Sequence, residues 1–224
     1  MSLDQFQPAR YEVLLTEKVA ALEPRFKALG APKPDIFRSP TSGFRLRAEF
    51  RMWHGGDHLD YVMFDTRDRK KPVRIEHFPI AAPAIQALMV PLRDYIQERD
   101  ELRRKLFQIE FLSTLSGDML VTLIYHRPLG DAWEVLAREL ASHFNINLVG
   151  RSRRQKIVIG RDWVNETLSV GSEVFHYKQP EQAFTQPNGE VNQFMIEWAL
   201  SQARQCDGDL LELYCGIGNF TLPL

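Results

Sequence analysis

Asp209-Leu-Leu-Glu-Leu-Tyr-Cys-Gly-Ile-Gly-Asn-Phe-Thr-Leu-Pro-Leu224 reads as the opening of a nucleotide-binding α/β domain. Leu210 to Tyr214 is a short apolar run carrying one acid, the pattern of a buried parallel strand. Gly216 and Gly218 let the backbone turn tightly and approach a ligand closely. Phe220 is expected to begin the first helix. A parallel sheet needs further strands joined by crossover helices, about thirty residues for each unit. Those strands, and the catalytic domain they would build, are expected to be missing from this chain.

A lone Gly-x-Gly does not name a ligand. The dinucleotide fingerprint wants a third glycine where Thr221 stands, and the Gly-Lys-Ser/Thr ending of a P-loop is absent. What stands here is acid-x-x-x-Gly-x-Gly, from Glu212 to Gly218. A carboxylate at the end of a strand repels phosphate and suits a cationic, amine-bearing cofactor such as S-adenosylmethionine. The competing reading is an ordinary strand–turn–helix corner with no ligand.

Outward from this motif, 224 residues are enough for one large domain or two small ones, with ordinary apolar and charged fractions. Cys206 and Cys215 are too few for an iron–sulfur cluster or a disulfide framework. His54 and His58 flank a Gly-Gly turn without an identifiable third ligand, so no metal is expected. The first ten residues lack the apolar core of a signal peptide, and no apolar run is long enough to span a bilayer. A cytoplasmic protein with no membrane association is expected. With a net charge of −1, any nucleic-acid contact must come from local clusters.

Helical spacing of Leu15, Val19, Leu22, Phe26 and Leu29 predicts a helix over 11–29, before the breaker Ala31-Pro-Lys-Pro34. From Phe44 the period becomes two. Phe44, Leu46, Ala48, Phe50 and Met52 share one face; Arg45, Arg47, Glu49, Arg51 and Trp53 share the other. A turn at 54–58, a return strand over 59–65, a basic loop over 66–71 and a short strand over 73–76 follow. Residues 83–104 read as helix, 106–116 and 119–126 as a hairpin, and 131–144 as a helix burying Trp133, Leu136, Leu140 and Phe144. Strands are expected at 147–151, 156–159 and onward to 174–177. Asn188 can cap a helix to about Arg204 with Val191, Met195, Trp198 and Gln202 on its packing stripe. The fold class is therefore α+β: a mainly antiparallel domain over 1–180, a linker with a connecting helix over 181–208, and the first strand of an α/β, Rossmann-like domain over 209–224.

Arg45, Arg47 and Arg51 share one strand face beside Trp53, on which alternate positions stand about 7 Å apart, a spacing that can track phosphates while an aromatic offers a stacking plane. The alternative is a solvated face pairing with Glu49. Phe107 alternates with Ile109 and Phe111, which favours a core role for all three. The Arg151-Ser-Arg-Arg154 link reads as a solvated basic turn able to add salt-dependent affinity.

Glu212-Leu-Tyr-Cys-Gly-Ile-Gly-Asn-Phe220, preceded by Phe184-Thr-Gln-Pro-Asn188, closely resembles the RNA 5-methyluridine methyltransferases. Phe37-Arg-Ser-Pro40, Phe44-Arg-Leu-Arg-Ala-Glu-Phe-Arg51, Lys105-Leu-Phe-Gln-Ile109 and Leu123-Ile-Tyr-His126 resemble their transfer-RNA branch. The ribosomal-RNA branch carries an extra N-terminal barrel and an iron–sulfur cluster, and neither is expected here. The resemblance implies methylation of carbon 5 of the T-loop uridine of tRNA, with transfer-messenger RNA as a second substrate and S-adenosylmethionine as cofactor. It implies cofactor contacts from Gln186, Tyr214 and Asn219, beside Glu212, Gly216 and Gly218. It places Phe184 near the target base, and Phe107 and His126 against the RNA loop with Arg45, Arg47 and Arg51. In the family a cysteine adds to carbon 6 of uracil and a carboxylate removes the carbon-5 proton. Neither Cys206 nor Cys215 matches that nucleophile, so this chain alone is expected to be catalytically incompetent. A standalone RNA-binding module is the alternative.

Overall fold

A computed structural model describes residues 7–64 and 71–224. The extreme N-terminus, Asp65 and all but the last residue of the expected basic loop lie outside them. The centre is a seven-stranded sheet in the order β3-β2-β1-β4-β5-β6-β7. Its strands are β1 (Arg47–Gly55), β2 (His58–Phe64), β3 (Pro72–Arg74), β4 (Leu106–Ser113), β5 (Met119–Tyr125), β6 (Asn147–Ser152) and β7 (Gln155–Ile159). Neighbours are antiparallel except β5 and β6, which α4 (Asp131–Phe144) joins as a parallel crossover. The mainly antiparallel α+β class is the one the alternation implied.

One face of the sheet is apolar. Leu46, Ala48, Phe50 and Met52 point into it as expected and pack under α2 (Pro83–Gln97), the short α3 (Asp100–Arg103) and α4. The helix expected over 83–104 is thus two helices, parted at Glu98 and Arg99. Trp133 on α4 is fully buried, and Gly150 of β6 lies directly beneath its ring. Any side chain at 150 would occupy the space that the indole fills.

The opposite face is largely polar and partly covered by the hairpin β8 (Trp163–Val170) and β9 (Glu173–Pro180). Leu112, Leu120 and Val149 meet Val164 there. Two carboxylates, the buried Glu166 and the half-buried Asp118, fasten this second layer. Glu166 accepts the backbone N–H groups of Leu115 (3.0 Å) and Thr167 (2.9 Å), pinning the β4–β5 turn to β8. Asp118 in that turn binds Arg161 (2.9 Å) and the N–H of Asn165 (2.9 Å).

Asn188 caps α5 (Gly189–Ala203) as expected, its side chain accepting from the N–H of Val191 at 3.1 Å. The packing face of α5 differs from the expected stripe. Gly189 is buried against Leu46 and Leu115, Asn192 is buried beside Asn219 and Ile196 is buried on the hairpin, whereas Met195 and Trp198 are exposed. α5 carries a second apolar stripe, which meets the arm before β1: Phe37 stacks on Phe194 at 5.8 Å, and Trp198 donates to Asp35 at 2.8 Å. The first helix, α1 (Tyr11–Ala28), spans the expected residues but buries none of them.

Residues 210–214 form no strand. Leu210, Leu211, Leu213 and Tyr214 are exposed, and the expected helix from Phe220 is a succession of turns. A parallel strand needs a hydrogen-bonded neighbour, and none of the described residues provides one. The segment instead rests on the second layer through Ile217 and Phe220, which pack on the cluster of Leu168, Val170, Tyr177 and Ile196.

Candidate RNA face and cofactor cradle

Two regions bring the sequence-predicted residues together. The first is a cavity of about 370 Å³ between the second layer, the start of α5 and the C-terminal turns. Gln186, Glu212, Tyr214, Gly216 and Asn219 line it, with Phe184 at its edge and Glu166 in its floor. Its glycine turn is built as expected: Gly216 and Gly218 sit at φ 60° and 82°, where a side chain is strained. Tyr214 is fully exposed, also at positive φ (60°). Asn219 is already engaged. Its amide exchanges two hydrogen bonds of 2.8 Å with that of Asn192, and its carbonyl accepts from the Tyr177 hydroxyl at 3.0 Å. This pair holds the turn onto α5 and β9. The lining fits an amine-bearing ligand: the Glu212 carboxylate and the half-buried Gln186 amide offer acceptors, and the glycines leave the backbone open.

The second region is the polar face of the sheet. The Arg51 guanidinium lies 3.8 Å over the Phe107 ring, and that ring stacks on His126 with centroids 3.9 Å apart. Phe107 escapes the core alternation because β4 carries an irregularity there: Leu106 pairs with Tyr125 but Gln108 with Ile124. Ile109 and Phe111 stay in the core, while Phe107 is turned onto the polar face with Arg51. Arg51 and His126 are exposed. The result is a cation–aromatic–imidazole stack open to solvent, suited to a splayed nucleobase.

The other two expected arginines are elsewhere. Arg47 is tied to backbone, donating to the carbonyl oxygens of Ala183 (2.8 Å) and Glu181. Arg45 precedes β1, where its backbone bridges Ala81 and Asn188. The alternation that grouped the three arginines is real, but its two ends have different surroundings.

Glu181, 4% exposed, is the residue that sequence reasoning missed. It accepts from Arg151 at 2.6 and 2.8 Å and from Thr122 at 3.0 Å, and pairs with Lys156 at 3.2 Å. Burial alone would raise its carboxyl, but these three donors outweigh it and hold the group below the ordinary range. Glu110, on the same face, is raised by burial. With Arg47, the Glu181 clasp fixes the chain from 181 to 183 and so delivers Phe184, 73% exposed, to the cavity edge. Only the burial of Glu181 marks it, and no local pattern in the sequence carries that.

Among the described residues, no group of His, Cys, Asp and Glu is arranged to hold a metal, and no helix is long and apolar enough to cross a membrane. Both cysteines are free and exposed.

The family model described as tRNA (Uracil-5-)-methyltransferase matches residues 10–224. Over all 224 residues the chain is 52% identical to a tRNA/tmRNA (uracil-C(5))-methyltransferase of Azoarcus sp. (strain BH72) and covers 62% of that protein. A protein of the same description from Pseudomonas putida (strain W619) is 52% identical over 219 residues, 98% of this chain and 61% of the relative. The chain thus spans about three fifths of the length of these relatives. Its fold is similar to the tRNA (uracil-54, C5)-methyltransferase of Pyrococcus abyssi, solved with S-adenosyl-L-homocysteine, with a TM-score of 0.70. That likeness covers 95% of this chain and 53% of the other at 16% identity.

Proposed function

The chain belongs to the tRNA (uracil-5-)-methyltransferase family, and from that premise we propose that the whole protein methylates carbon 5 of the T-loop uridine in tRNA, and in transfer-messenger RNA, in the cytoplasm. Within it, residues 1–180 are the RNA-recognition unit, 181–208 the linker, and 209–224 the start of the cofactor domain. The observation that carries the reading is the Arg51–Phe107–His126 stack: a solvent-open aromatic platform under a cation, on the polar face of the sheet.

Phe107 and His126 receive an unstacked loop base, and Arg51 adds charge beside it. Arg47 and Glu181 position Phe184 towards the target base without touching RNA themselves. S-adenosylmethionine supplies an electrophilic methyl group when bound. Gln186, Glu212 and the Tyr214–Gly218 turn would hold its amine-bearing part, and Asn219 keeps that turn on α5. No residue of this chain is assigned the nucleophile or the base, so the chain by itself binds RNA and transfers no methyl group.

The test is fluorescence anisotropy of a labelled T-arm stem-loop against the same stem with a scrambled loop. Stacking is worth roughly 1–3 kcal/mol per base. Phe107→Ala is therefore expected to weaken loop binding by about five- to 150-fold and to erase the preference for the native loop. Equal binding of both loops by the parent chain would sink the proposal, and so would methyl transfer by the purified chain alone.

A further inference from the structure

We infer that Lys105, Arg153 and Arg154 form a phosphate-binding rim beside the Phe107–His126 platform, which takes the sugar–phosphate backbone on either side of the base held there. The inference rests on the RNA-binding reading and adds residues and a chemistry to it.

The strand register places all three at the platform's end of the sheet. The His126 N–H donates to the Lys105 carbonyl at 3.0 Å, so Lys105 is the neighbour of the stack on the β4 side. On the other side Ile124 pairs with Arg151, and Ser152 Oγ donates to the carbonyl of Arg127, the residue after His126. The two-residue turn Arg153–Arg154, closed by the Ser152–Gln155 pair, therefore stands beside the end of β5. Adjacent strands are about 4.8 Å apart, so cations flanking β5 on both sides bracket the platform within about 10 Å.

What singles these three out is that their charge is unspent. At the same end, Arg104 and Arg127 pair with Glu101 at 3.0 and 2.8 Å, and Arg103 donates to the carbonyl oxygens of Gly56 and Asp57. Arg151, one residue inside the sheet, is clamped by Glu181. Lys105, Arg153 and Arg154 are exposed, and among the described residues none of them meets a carboxylate. Their joint field faces water in a chain whose net charge is −1. The basic turn, read from sequence as solvated and able to add salt-dependent affinity, thus gains a neighbour, an aromatic stack suited to a base. Cations flanking a base platform are what a polynucleotide backbone requires.

The experiment is a salt series, roughly 50 to 300 mM KCl, with labelled T-arm and scrambled-loop stems and three proteins: the parent chain, Lys105→Ala/Arg153→Ala/Arg154→Ala, and Lys18→Ala/Arg25→Ala/Lys27→Ala. The last removes the same charge from the exposed helix α1, and circular dichroism confirms that each protein is folded. Removing one cation that neutralises a phosphate lowers the slope of log affinity against log salt by about 0.7–0.9. The rim variant is expected to lose about two units of slope and on the order of thirtyfold in affinity near 150 mM salt. It loses this equally for both loops, because phosphate contacts carry no sequence information. The α1 variant keeps the parent's slope. If the parent binds with loop preference and the rim variant keeps its slope, or the α1 variant loses as much, the rim is wrong and the RNA reading stands. If the parent binds neither stem, both fall.

Discussion

Replacing Glu181 by Gln is the sharpest test of how the polar face is held. The substitution keeps shape and removes charge from a side chain 4% exposed. Arg151, which loses a two-pronged partner at 2.6 and 2.8 Å, can only donate, so the new amide nitrogen confronts it with a second donor. Breaking a buried ion pair by removing one partner costs about 3–5 kcal/mol. Two features reduce this here. The Arg151 side chain is 25% exposed and can recruit water, and Lys156 keeps Asp162 at 2.7 Å. The expected loss is about 2–3 kcal/mol, read from urea unfolding at neutral pH. Its pH dependence follows from the depressed carboxyl of Glu181. A carboxylate whose folded pKa lies below its unfolded value contributes stability that is complete above the unfolded value and lost as pH falls through the folded one. The gap between parent and variant should therefore be full at neutral pH and close on acidification below the ordinary glutamate value of 4.5. A loss under ~0.5 kcal/mol, no larger than an ordinary surface change, or a gap that widens in acid would refute the clasp.

Glu166 should behave with the opposite sign. Burial raises its carboxyl against the pull of three backbone N–H groups, so ionisation works against the fold, and the parent's advantage over Glu166→Gln should shrink as pH rises from about 4 to 7. Unfolding curves at the two ends of that range decide it, and an advantage that grows would contradict the assignment. In Gly150→Ala the new methyl would stand 2.1 Å from Trp133 Cη2 and 2.6 Å from Cζ2, an overpacking worth about 1–3 kcal/mol. A drop in Tm of about 2–12 °C is expected, with partial rescue by Trp133→Phe; an unchanged Tm would mean that the indole is not locked over β6. Asn192→Ala strips Asn219 of its amide partner, and hydrogen exchange of residues 215–222 should quicken while the central sheet is unaffected. Unchanged exchange there would show that Ile217 and Phe220 hold the turns without the amide pair.

The sheet was legible wherever one face is uniformly apolar. Phe44 to Met52 alternates without error, and the structure buries that face. The strands expected onward to 174–177 had no bounds of their own, and for β8 the reason is physical: its inward positions are Val164, Glu166, Leu168 and Val170, so a buried acid breaks the pattern. Glu166 is tolerable there only because the amides of another turn converge on it, a fact stored some fifty residues away. Phe107 was misdirected by the same logic, since period-two reasoning assigns it to the core and one irregularity in β4 moves it to the polar face. On α5 two apolar stripes were available, and the choice between them was made by the hairpin and by the arm at 35–37. At 210–214 the strand pattern is sound, but a strand exists only through hydrogen bonds to a neighbour, and its partners are not among the described residues.

The arginines show why the candidate site was harder to read than the fold. Arg47 and Arg51 share a strand face, and nothing local separates them. Yet Arg47 ends on the carbonyl oxygens of Glu181 and Ala183, while Arg51 ends on Phe107. The polar face is sorted along its length. Towards the β4–β5 turn, cations are consumed in holding the second layer: Arg47 on backbone and Arg161 on Asp118. Further along, Arg151 and Lys156 are consumed by Glu181, one pair inside the β6–β7 turn. At that turn itself the cations face water beside an aromatic stack. Composition averages the two ends to a net charge near zero. The sorting is set by where two buried glutamates lie, and they act at opposite reaches of one scaffold: Glu166 locks the layers together, and Glu181 neutralises the cations nearest the linker. What is left unpaired at the far end is then a consequence of the fold and not of basic content, which is why removing charge there and on α1 should have different effects.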